Sequence, residues 1–194
     1  MNTPAHLIIG LTVLGRAPDP KVVAAAVFGA LVPDLSLYLM AGWALFVSGI
    51  APQVVFGQMY FSSAWQGIFA IDNSIPLWAF AFGAALMFGS KLGKALCGAG
   101  LLHLFCDFPL HNDDARQHFW PFTDWVFHSP VSYWDPTHYG GAVSLLEAGL
   151  VLGLAILLWQ YFRSLHARIL LGLLTLVEVV PQLLFGIMMG NEPG

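Results

Sequence analysis

A histidine and an aspartate stand four residues apart in His103-Leu104-Phe105-Cys106-Asp107, and Pro109, His111, Asp113 and Asp114 follow at once. On an α-helix that spacing puts both side chains on one face, about 40° and one turn apart. Imidazole nitrogen and carboxylate oxygen are the donors that hold a borderline or hard divalent cation. Pro109 stops the helix, so His111, Asp113 and Asp114 can fold back toward His103 and Asp107. Five potential ligands thus gather where an apolar segment meets a polar loop. The competing reading is a buried, hydrogen-bonded pair that only locks two helices together.

The rest of the chain is of a kind that must position such a group inside a membrane. Of its 194 residues 58% are hydrophobic and 9% charged, whereas ordinary soluble domains carry about 25% charged residues. The expected fold is all-α, a polytopic integral membrane bundle of about five or six transmembrane helices. It forms a single membrane domain over 1–194, with a polar and aromatic extramembrane loop at 109–140. A net charge of −4 with only seven Lys and Arg offers no basic patch for nucleic acid. No basic region precedes the apolar residues 5–15, so a secretory signal peptide is not expected. Cys97 and Cys106 fall on opposite faces of one helix and read as small buried residues.

Taken in order, residues 4–15 are apolar but span only about 18 Å, against roughly 30 Å of hydrocarbon. A turn with Arg16, Pro18, Pro20 and Lys21 leads into 22–48, which Pro33-Asp34 interrupts. A proline inside a membrane helix frees a carbonyl one turn back, and an acid beside it is costly unless paired. Residues 51–72 read as half-inserted or interfacial, and 75–89 and 92–108 as two spans. Residues 141–162 and 167–189 are the last two helices, carrying Glu147 and Glu178. Arg16 and Lys21, Lys91 and Lys94, and Arg163 and Arg168 occupy alternate connections, the pattern of cytoplasmic loops. The loop 109–140 then faces the periplasm of a bacterial inner membrane. Counted from these anchors, Asp34 and Asp107 both lie about 20 Å from the cytoplasmic side. His6, His103 and Glu147 come to roughly the same layer, and a shared polar cavity is the economical reason for so many polar groups at that depth.

Four segments together resemble a known family: Thr3-Pro4-Ala5-His6-Leu7, Gly29-Ala30-Leu31-Val32-Pro33-Asp34, His103-x-x-x-Asp107 and His118-Phe119-Trp120-Pro121-Phe122. The chain is similar over about its first two-thirds to the membrane-bound metal-dependent hydrolases of the YdjM type, some relatives of which are labelled cobalamin-biosynthesis proteins. The resemblance implies a divalent metal, zinc foremost, with His6, Asp34, His103 and Asp107 as ligands. Ser36 stands where that family commonly has a second acid, and Asn73 where it commonly has a histidine before Ser74. A reduced, single-metal or lost site all remain open at this point. No phosphate-binding Gly loop or Cys–His pair supports cobalamin chemistry.

The expected chemistry is metal-dependent hydrolysis of a phosphoester or acyl bond in a lipid-like substrate. His103, Asp107 and Asp34, with His6 or His111, would hold the metal, and Asp113 or Asp114 would take the proton. Two rival readings come from other classes. A proton- or ion-coupled transporter would use Asp34, Glu147 and Glu178 as its relay. A non-catalytic membrane subunit would dock a partner through the aromatic run 119–134.

Overall fold

The structure is a computed structural model that describes residues 1–189. Its helices are α1 (Thr3–Leu14), α2 (Pro20–Gly42), α3 (Pro52–Val54), α4 (Ser63–Asp72), α5 (Ile75–Met87), α6 (Lys91–Asp107), α7 (Gly140–Tyr161) and α8 (Leu165–Met189). Among the described residues there is no strand, so the all-α expectation holds. Helix starts follow the local chemistry. Asp19, Ser62, Ser74 and Ser90 each cap a helix with a side-chain oxygen, and Pro sits in the first turn of α1, α2 and α5.

Four stretches are long and apolar enough to cross a membrane: Pro20–Val47, Ser63–Met87, Gly140–Tyr161 and Leu165–Met188. The second combines α4 and α5 across the break at Asn73, so it takes in the second half of residues 51–72. Helix α1 has 12 residues and α6 has 17, apolar but shorter than the roughly 20 that a straight crossing needs.

Small residues bring α1, α2 and α6 together. A Cβ added at Gly29 would run into the backbone of Leu96, and one at Gly10 would stand 2.9 Å from the Cβ of Ala30. Ala26, Ala30, Ala95 and Ala99 are buried along the same seam. Close backbone approach of this kind is how helices pack where water gives no hydrophobic drive between them. Helices α7 and α8 pair with one another, and α7 closes on α1 through Ile8, Val151, Ala155 and Leu158.

The two ends of the bundle differ. Asp19, Lys91 and Lys94 line one hollow between the start of α2 and the start of α6. At the other end the segment after α6 folds back on itself. Tyr133 N–H donates to Leu110, Ser129 N–H to His111, and the Asn112 side chain to the Ser129 carbonyl. Phe108, Phe119, Trp125 and Phe127 pack ring against ring beneath this loop. Phe122 and Trp125 remain exposed.

Candidate metal centre

The fold brings five polar side chains from three helices and one loop to the end of α6. Asp107, 4% exposed, is the hub. Its Oδ1 accepts from His6 Nε2 at 2.8 Å and from the Met1 amino group at 2.6 Å. Its Oδ2 lies 3.0 Å from His103 Nε2, and its Oδ1 lies 3.5 Å from His111 Nε2. Asp34 Oδ1 stands 3.7 Å from the same His103 nitrogen. Donor atoms of His6, His103 and Asp107 all fall within 4.8 Å of one another.

The hydrogen bonds fix one protonated nitrogen on His103 and one on His111. His103 Nδ1 is 2.7 Å from the Ala30 carbonyl, which only accepts, so Nδ1 is the protonated nitrogen. Ala30 lies in the turn of α2 that Pro33 disturbs, where a carbonyl can tilt out of the helix ladder. His103 Nε2 then faces two carboxylates, and neither makes a hydrogen bond with it. His111 repeats the arrangement. Its Nδ1 donates to Asp114 Oδ2 at 2.8 Å, and its Nε2 has no hydrogen-bond partner. An imidazole oriented by an acceptor on one nitrogen, with the other aimed at carboxylates, is the usual form of a metal-ligating histidine. His6 and His103 stack with ring centroids 3.6 Å apart, which holds both rings in register.

The donor set therefore fits a divalent ion: two histidine nitrogens without partners, two carboxylates, and a further histidine on the hub. Burial alone would lower the His111 pKa, but the Asp107 charge and the hydrogen bond to Asp114 outweigh it and raise it. Burial likewise works against the charge on Asp114, yet the hydrogen bond from His111 and the charges of His111 and Arg116 hold its carboxyl below the usual range.

Both residues expected to take a proton line the cavity above this cluster, which measures about 360 Å³. They differ in situation. Asp114 is committed to His111, whereas Asp113 is exposed and makes no hydrogen bond among the described residues. His118 does not join them. It is buried, its Nδ1 bonds to the Asn73 carbonyl, and burial pushes its pKa down to about 4.

Several residues of the site escaped sequence reasoning. Thr3 Oγ1 donates to Asp34 Oδ2 and touches the Tyr38 hydroxyl. Asn73, which stands where the family resembled commonly has a histidine, is fully buried and bonds to the Pro33 carbonyl and to Arg116. It supports the cavity-lining Arg116 without lining the cavity itself. Ser36 is not among the cavity-lining residues. Arg116 reads in sequence as a loop charge among Asp113, Asp114 and Asp124, yet it is buried and lines the cavity. Glu147 and Glu178 are separate from the cluster and meet at α1, where Glu147 accepts from the Asn2 backbone and Glu178 from the Asn2 and Gln182 side chains.

In comparisons with known proteins, no family model, no curated protein and no solved structure matches the chain.

Proposed function

We propose that this chain is a metal-dependent hydrolase of a bacterial inner membrane, of the YdjM type, acting on a phosphoester or acyl bond of a lipid-like substrate. The observation that carries the reading is His103 Nε2, buried 3.0 Å from Asp107 Oδ2 and 3.7 Å from Asp34 Oδ1 without a hydrogen bond to either. The Met1 amino group offsets part of the charge on Asp107, and a divalent ion at His103 Nε2 would offset the charge of Asp34 and the rest of Asp107.

His103, Asp107, Asp34 and His111 would hold the ion, with His6 bearing on Asp107. A zinc ion there supplies Lewis acidity and an acidified water. Asp114 keeps His111 in the tautomer that offers Nε2. Asp113, unengaged and at the cavity, takes the proton. Six crossings, with α1 and α6 tilted or short, and the cavity in the periplasmic half complete the proposal. The alternation of basic connections supports that side, and a reporter fused within 109–140 tests it, since a cytoplasmic signal would reverse the orientation.

The functional test uses purified protein in micelles with dodecyl p-nitrophenyl phosphate and p-nitrophenyl dodecanoate. The expected result is turnover of one of them that chelator abolishes and zinc restores. Asp113→Asn should lower kcat by about a hundredfold or more, the usual worth of a general base. Turnover equal in chelated and zinc-loaded protein would contradict the reading.

A further inference from the structure

Arg116 is the buried charge that the metal cluster does not use. The side chain is 6% exposed and lines the same cavity as Asp34 and Asp107. Its Nη1 donates to Asn73 Oδ1 at 3.1 Å and lies 3.4 Å from the Pro33 carbonyl, and its Nε reaches the Tyr60 hydroxyl at 3.5 Å. The guanidinium lies over the Phe69 ring, 4.7 Å from its centroid. All of these partners are neutral. Among the described residues no carboxylate forms an ion pair with Arg116, and its Nη2 makes no hydrogen bond.

A buried cation is ordinarily paired, because desolvation is too costly otherwise. The acids across the cavity, Asp34 and Asp107, are those assigned to the ion, and a divalent cation would neutralise both. Arg116 then has no carboxylate in direct contact, since Asp114, whose charge it feels, is bound to His111. The side chain is also held rigidly, by three neutral acceptors and a ring face, in the manner of an anchor that waits for an anion. One part of the wall is largely apolar: Leu37, Tyr38, Phe56, Phe61 and Trp134 line the same cavity, the last four with large exposed surfaces.

We infer that the cavity takes a phosphate ester of an apolar alcohol, with Arg116 Nη2 and the metal ion on the phosphate oxygens and the aromatic wall along the alkyl chain. This rests on the metal-centre reading for the ion and deepens it by selecting the phosphoester over the acyl bond. A neutral acyl ester brings no charge to Arg116, whereas a phosphate brings charge and several acceptors for the planar fork.

The test is calorimetric binding to the full-length protein in nanodiscs, zinc-loaded and chelator-stripped. The probes are dodecyl phosphate, inorganic phosphate and dodecyl acetate. Wild type should bind dodecyl phosphate about tenfold or more tightly than Arg116→Gln does, the worth of a charge-assisted hydrogen bond. Arg116→Lys, which keeps the charge and loses the fork, should fall between them and decides the matter if Arg116→Gln does not fold. Zinc content should be the same in all three proteins. Inorganic phosphate should bind in an Arg116-dependent way but more weakly, since it lacks the alkyl chain. Dodecyl acetate should be indifferent to the substitutions.

Equal affinity of dodecyl phosphate for wild type and both variants would overturn the inference. So would dodecyl acetate binding as tightly as dodecyl phosphate. Inorganic phosphate binding as tightly as dodecyl phosphate would overturn the assignment of the apolar wall. An Arg116 dependence that persists in protein unable to take zinc would uphold the anion site while the metal reading fails.

Discussion

His103 Nε2 and Asp107 Oδ2 lie 3.0 Å apart, one helical turn from each other, and no hydrogen bond joins them. The ring is turned by its other nitrogen, which is held by the Ala30 carbonyl of α2. The distance is set by the helix, and the misalignment is set by a neighbouring helix. The arrangement leaves room for the proposed cation to bind both groups.

The same logic makes Asp114 a positioning residue. Its carboxylate accepts from His111 Nδ1 and keeps Nε2 free. Asp114→Asn should weaken zinc binding by about ten- to a hundredfold, as loss of an outer partner usually does. Competition with a chromophoric chelator measures it, and unchanged affinity would remove His111 from the ligand set.

Gly29 lets α2 and α6 touch, because a Cβ there would run into the Leu96 backbone. Gly29→Ala should destabilise the protein by about 1–3 kcal/mol through overpacking and should lower zinc affinity, since it parts the helices that carry Asp34 and His103. Thermal melting in detergent reads the first effect. A melting temperature equal to that of wild type would show that the helices are not in backbone contact there.

His118 supplies a pH dependence that is independent of the ion. Its pKa is pushed down to about 4 by burial, while an unfolded histidine titrates near 6.5. Between those values the unfolded chain binds the extra proton, so stability falls as pH drops from about 6.5 toward 4. The slope contributed is up to about 1.4 kcal/mol per pH unit. His118→Gln should flatten the stability profile over that window by this amount, and identical profiles would contradict the burial of the ring.

Much of this arrangement was legible in the chain because it depends on local periodicity. Hydropathy located the helices to within a few residues, the i, i+4 spacing paired His103 with Asp107, and Pro109 announced the return of His111. Asp34 was reached by counting residues from Lys21 and Lys94, which works because helical rise is constant. The wall of the cavity was not legible. Arg116 meets Pro33 and Asn73 across 83 and 43 positions, and no local pattern marks a loop cation that turns inward. Thr3 and Tyr38 likewise acquire their roles only once α1 lies beside α2. Within 51–72 the helix start was not legible, because its aromatics and glutamines obscure the capping serine at Ser62.

The central claim is that the end of α6 holds a divalent ion, and elemental analysis tests it most directly. Wild type, Asp107→Asn and His103→Ala are purified side by side without chelators and assayed for zinc and other divalent metals. Asp107→Asn keeps the shape and removes the charge, so the helices should remain inserted while the ion is lost. The expected result is close to one ion per chain in wild type and little in either variant. Equal content in all three, or none in wild type after zinc reconstitution, would contradict the account and leave the cluster as an ion pair of Asp107 with Met1 and His6 that locks α1 to α6.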